Sequence, residues 1–192
     1  MSTNGRRSSE LISREKSRVL VVDVQERMLA VIPTAAAVQA RIRLLLQTAN
    51  LLNIPVSVTE QYPQGLGPTV AAIQELLPID LVKPAKLRFS AADCCEWMHQ
   101  PTDERFHIVV IGLETHVCIL QSVMDLLAEG FTVYVPADAV GSRRDLDHQV
   151  ALERLRLSGA VICTAESVVF EWCETAGTSE FKTVSGWVKN VP

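Results

Sequence analysis

Short runs rich in Val and Ile alternate along this chain with longer stretches whose apolar residues recur every three to four positions. That alternation is the pattern of parallel strands joined by crossover helices, and few other architectures accommodate it. The strand-like runs are residues 18–24, 55–59, 106–112, 132–135 and 160–164. Their near-continuous apolar content suits strands covered on both faces. Between the first two runs, Val38, Ile42, Leu45, Leu46, Ala49 and Leu52 mark one face of a helix that ends at Asn53-Ile54-Pro55. Residues 114–129 show the same spacing through Val117, Leu120, Met124, Leu127 and Ala128, with Gly130 as terminator. Residues 145–157 repeat the scheme, with Asp145 placed to cap the start and Gly159 to close the end. The expected architecture is three-layer α/β/α, a mainly parallel sheet with helices on both faces. Residues 63–68 and 78–84 read as loops around a short helix at 70–77, and residues 181–188 as one more strand or an arm reaching a neighbour.

A chain of 192 residues fits one hydrophobic core, since single cores serve up to roughly 250 residues. We expect a polar segment over residues 1–17 followed by a single domain over 18–192. Hydrophobic residues make up 48% and charged residues 21%, which places the chain with globular proteins rather than disordered ones. A net charge of -4 without a long Lys/Arg run gives no footprint for a phosphate backbone, so nucleic acid is not an expected partner. The apolar runs fall far short of the roughly 20 residues that span a bilayer, so no membrane association is expected. The start lacks an apolar export signal, so the protein reads as cytoplasmic. Its five cysteines are then free thiols to be explained by packing or by chemistry.

In an open parallel sheet, ligands bind beyond the carboxyl ends of the strands. That rule selects Asp23, Glu60, Glu114, His116, Cys118 and Asp138. Cys118 falls in the first turn of the helix after Gly112, where unpaired NH groups and the positive dipole end favour a thiolate with a pKa below roughly 8.5. A thiolate there can attack a carbonyl carbon, with the same NH groups receiving the oxyanion. Simple core packing is the competing reading of this cysteine. Asp23 ends the apolar run Arg18-Val-Leu-Val-Val22 and needs a partner if buried; it serves either as general base or as a loop brace. Lys86 on its own reads as a solvated loop lysine. Cys94, Cys95 and His99 do not match zinc spacing and read as packing. His107 and His148 read as structural or surface histidines.

Three segments taken together resemble the isochorismatase-like cysteine hydrolases, the superfamily that includes nicotinamidases and N-carbamoylsarcosine amidohydrolases. They are Val19-Leu-Val-Val-Asp23-Val-Gln25, Lys86-Leu-Arg-Phe89-Ser90 and Val110-Ile-Gly-Leu-Glu-Thr-His-Val-Cys118, followed by Ala137-Asp-Ala-Val-Gly-Ser-Arg143. The resemblance covers nearly the whole chain after Ser17. It implies a triad of Asp23, Lys86 and Cys118, in which Asp23 takes the thiol proton and Lys86 stabilises the charges. It also implies a cis peptide at Leu113–Glu114 and an oxyanion hole from the backbone NH groups of Glu114 and Cys118. Gln25, Phe89 and His116 within these motifs, with Glu60 and Tyr62 after the second strand, are the candidate substrate contacts.

Departures from the family pattern narrow the expectation. Nicotinamidases add an Asp-x-His metal site, whereas this chain reads Thr59-Glu-Gln-Tyr-Pro-Gln-Gly-Leu-Gly67 there and has no histidine before His99. No metal or other cofactor is expected. The last segment and Gly112-Leu-Glu-Thr-His-Val-Cys118 are most similar to the isochorismatase-domain-containing subgroup. The resemblance implies hydrolysis of a small amide or related C–N substrate through a thioester. The alternatives are cleavage of a vinyl ether with Asp23 as general acid, and a non-catalytic member of the fold. Homo-oligomers are usual in the family, and Trp172, Phe181 and Trp187 offer either aromatic surface for such contacts or core packing.

Overall fold

The computed structural model describes residues 7–99 and 104–191, with the side chain of His99 outside the described set. Among the described residues, seven parallel strands form one sheet: β1 (Ser17–Val22), β2 (Val56–Gln61), β3 (Ala85–Lys86), β4 (His107–Leu113), β5 (Thr132–Pro136), β6 (Val140–Gly141) and β7 (Val161–Cys163). Their spatial order is β3-β2-β1-β4-β5-β7, and β6 pairs with the end of β4. The order runs outward in opposite directions from the β1–β4 seam. Neighbouring loops therefore part there and leave a crevice at the strand tips, which is where open α/β sheets bind ligands.

Helices cover both faces. They are α1 (Glu26–Leu29), α2 (Ala35–Leu51), α3 (Pro63–Leu66), α4 (Ala71–Gln74), α5 (Leu120–Ala128), α6 (Asp145–Leu157), α7 (Ala165–Cys173) and α8 (Ser179–Val188). One face of the sheet, with Val19, Val21, Val109 and Ile111, packs against Ile42, Leu45 and Ala49 of α2, Trp172 of α7 and Val184 of α8. The alternate residues Leu20, Val22, Ile108 and Val110 meet Val123 and Leu126 of α5 and Leu155 of α6 on the other face. This split follows from the two-residue period of a strand. The three-layer α/β/α architecture read from the sequence is the one observed.

Some elements differ from expectation. Residues 181–188 belong to helix α8, not to a strand or an arm, and the side chain of Thr178 caps that helix by accepting from the Phe181 amide. The stretch 63–68 is not all loop, because Pro63 pre-sets the first turn of α3. Strands β3 and β6 have two residues each, too few to show any periodicity. Asp145 does not cap α6, whose N-cap is Arg144; its carboxylate accepts from Gln149 instead. Trp172 is fully buried with its indole NH on Ser17 Oγ at 2.9 Å, and Phe181 and Trp187 pack against the same core. Trp172 thus belongs to the core, while Phe181 and Trp187 are only partly buried. Ahead of β1, Ile12 is fully buried in the first core, so the chain just before Ser17 packs with the sheet.

Gly112 sits at the β1–β4 seam with φ of 125°. A Cβ there would lie 2.0 Å from the Val22 carbonyl oxygen, so only glycine permits this approach. Val22 and Gly112 are direct partners across the seam. The residue that follows β1 is Asp23.

Candidate active site

Asp23 turns off the end of β1 with φ of 55°, a left-handed conformation that Asp tolerates better than most residues. Its side chain is fully buried. Thr59 Oγ1 donates to one carboxylate oxygen at 2.8 Å, and Lys86 Nζ donates to the other at 2.6 Å. Strand β3 exists at the edge of the sheet just long enough to bring Lys86 to this carboxylate. The ammonium donates further to Gln61 Oε1 at 2.7 Å and to the Phe89 carbonyl at 2.8 Å. A buried ion pair persists only when its remaining hydrogen-bonding capacity is met, and both members here are satisfied.

Cys118 lies in a π turn, Thr115–Ile119, that opens directly into α5. The peptide between Leu113 and Glu114 is cis. Asp23 and Lys86 are the charged side chains that act on the Cys118 thiol. Burial, with the Asp23 carboxylate adding to it and Lys86 opposing it, pushes this thiol up to about 12. Burial thus acts against the lowering expected from the helix terminus, because a thiolate removed from water is disfavoured.

A cleft of about 400 Å³ opens onto Cys118 and is lined also by Arg27, Met28, Val31, Gln61, Leu66, Phe89, Glu114, Val117 and Arg143. A larger cavity of about 550 Å³ lies at the opposite, amino ends of the strands, beside His107 and Tyr134. Its polar groups already serve one another: Arg7 bonds the Ile12 and Glu171 carbonyls, and His107 Nδ1 accepts from the Ser13 amide. The juxtaposed acid, ammonium and thiol single out the smaller cleft.

Of the expected substrate contacts, Phe89 lines this cleft and four others do not. Gln25 is fully buried, donating to the Gln61 and Gly67 carbonyls and accepting from the Gln61 amide. Glu60 accepts from the backbone and hydroxyl of Thr69 and pairs with Lys83 at 3.6 Å. Tyr62 packs its ring over Gly65 and is half exposed. His116 bonds Ser142 at 3.0 Å, and its neighbour Thr115 bonds His148 at 2.9 Å, which braces the π turn against the first turn of α6. Asp138, the fourth strand-tip acid, accepts from the Ala165 amide and pairs with Arg41. These residues hold loops in place. Sequence reasoning does not find Thr59, Gln61, Arg27 or Arg143. Among the described residues, no group of three or more His, Cys, Asp or Glu side chains is arranged to hold a metal ion. No helix among them is long and apolar enough to cross a membrane.

Sheet order and layering define a three-layer α/β protein, with the candidate site at the β1–β4 crossover. Sequence comparison narrows the class: the family model described as Isochorismatase domain matches residues 17–167, and the chain belongs to that family of hydrolases. It is 37% identical over 193 residues to the secreted isochorismatase effector Isc1 of Phytophthora sojae, covering 98% of this chain and 91% of that protein. Identity to isochorismatase domain-containing protein 2A of Mus musculus is 35% over 180 residues, covering 91% and 84%. Among solved structures, the MAR1 ribonuclease of Caenorhabditis elegans superposes with a TM-score of 0.88 at 32% identity, covering 95% of this chain and 94% of that one.

Proposed function

We propose that the protein is a cysteine hydrolase that cleaves a small amide or related C–N bond through Cys118, Asp23 and Lys86. One observation supports the reading: the buried Lys86–Asp23 pair acts on the thiol of Cys118, and Cys118 lines an open cleft. Sulfur attacks the carbonyl carbon as its proton passes to Asp23, so no free thiolate has to persist in the buried site. The backbone NH groups of Glu114 and Cys118 receive the oxyanion. Collapse breaks the C–N bond, and Asp23 returns the proton to the leaving nitrogen, leaving a thioester at Cys118. Water then adds to the thioester, Asp23 takes its proton, and the thiol departs reprotonated. Lys86 stays charged throughout, fixing Asp23 and offsetting the negative charge that moves between oxygen and sulfur.

The test is ammonia release from a panel of small amides, with the Cys118→Ala variant beside the unaltered protein. Turnover should fall by at least about 10³-fold in the variant with its thermal transition unchanged. A mass increase on Cys118 matching the acyl group should appear on rapid quenching. Full activity in the variant would remove this cysteine from the chemistry.

The structural relative from C. elegans is described as a ribonuclease, which makes RNA cleavage the second reading to assay on the same preparation. A net charge of -4 weighs against it, since RNA binding draws on an extended basic surface. The homo-oligomer and the cytoplasmic location remain part of the proposal. Leu146, Val150 and Leu157 stand exposed on α6 and support self-association, which sedimentation would read as a multiple of 21.1 kDa. Five free cysteines support a reducing compartment. The relative in P. sojae is described as secreted, so cell fractionation decides the point.

A further inference from the structure

We infer that the cleft selects a small substrate with an anionic end, a carboxylate or a group of like charge and shape, held at the mouth by Arg27. The inference rests on the hydrolase reading above and names the substrate class of that same site. Beneath the cleft the charges are balanced, because Lys86 and Asp23 pair at 2.6 Å. At the mouth, Arg143 Nε is committed to Glu114 at 2.6 Å. Arg27 is different. Its Nη1 donates to the Gly65 carbonyl at 2.5 Å, which fixes the guanidinium at the wall, and no carboxylate lies within ion-pair distance of it among the described residues. The charged groups at and beneath the cleft thus leave one positive charge in excess on a chain whose net charge is -4.

The body of the cleft is apolar, with Met28, Val31, Leu66 and Val117 on its walls. Such walls exclude water from the middle of a ligand, while Arg27 stands exposed at the rim. A guanidinium with free donor edges presents the planar fork that matches a carboxylate. A substrate that satisfies all three zones has a scissile carbonyl at one end, a short carbon spacer and an anion at the other. A monoamide of a dicarboxylic acid is the simplest compound of that form.

Succinamate and succinamide test the inference, since they differ only in whether the distal group is a carboxylate or an amide. Calorimetry on the Cys118→Ala protein should show succinamate bound about tenfold more tightly than succinamide. Arg27→Gln should abolish that preference, and Arg27→Lys, which keeps the charge but not the fork, should retain only part of it. Equal or undetectable binding of the two compounds, or a preference untouched by Arg27→Gln, overturns the inference. Ammonia release by the unaltered protein is scored separately. Selective binding without Cys118-dependent release supports the anion site and refutes the hydrolase reading. Release from both compounds at equal kcat/KM supports the hydrolase and overturns the anion site.

Discussion

Lys86 donates to a carboxylate, an amide oxygen and a backbone carbonyl, all from inside the protein. Removing it strands the Asp23 charge without water, so Lys86→Met should destabilise the fold by about 3–5 kcal/mol. Asp23→Asn suits the left-handed backbone and removes that stranded charge. The double variant should therefore be more stable than Lys86→Met alone by about 1 kcal/mol or more in urea unfolding; strict additivity would show that the pair is not coupled. At this scale the sequence is partly legible. Asp23 and Cys118 are visible as polar residues at the tips of apolar runs, whereas Lys86 gains its meaning only from the family motif. Gln61 escapes notice for a definite reason: β2 continues to Gln61 rather than ending at Thr59, and successive strand residues face opposite sides. Choosing Glu60 selects the wrong side of the pleat. Arg27 and Arg143 carry no local signal, because their place at the cleft depends on how separate loops meet.

At the scale of elements, the seam between β1 and β4 controls the position of Asp23. Gly112→Ala would drive a methyl group into the Val22 carbonyl at a backbone angle unfavourable to alanine, costing about 2 kcal/mol or more. Gly130→Ala, which shares a positive φ but meets nothing within 4 Å, isolates the backbone cost of roughly 1 kcal/mol. Urea midpoints for the two should differ clearly, and only Gly112→Ala should also impair turnover, through displacement of the adjacent acid. Equal losses would mean that the close approach carries no weight. Long apolar runs announce the central strands, and helical spacing announces α2, α5 and α6. The two-residue strands are invisible in the sequence because they form from what lies beside them. Helix α8 is misjudged as a strand or arm although Phe181, Val184 and Val188 follow helical spacing and Thr178 stands as a cap.

For the molecule as a whole, the acid side of the stability curve is set in part far from the cleft. Burial first, and then the nearby Lys16 and Arg7 cations, push His107 down to about 4. Burial lowers His148 as well. In the unfolded chain such imidazoles take up a proton near pH 6.5, while the folded protein refuses it until about pH 4 for His107. The unfolded state therefore binds more protons in that window, and stability falls as pH drops from about 6.5 to about 4. His107→Asn, whose Oδ1 can still accept from the Ser13 amide, should flatten the dependence of the urea midpoint between about pH 6.5 and 4.5. An unchanged slope would assign the acid sensitivity elsewhere.

The crossover at β1 and β4 has a consequence for the ribosome-bound chain. Asp23 and Lys86 lie on the half that is made first, while Cys118 comes only after β4. No fragment that ends before the central strand can hold all three groups, however well its own strands pair. On the proposed mechanism the nascent polypeptide has no complete triad until synthesis has passed the cysteine and β4 has paired with β1.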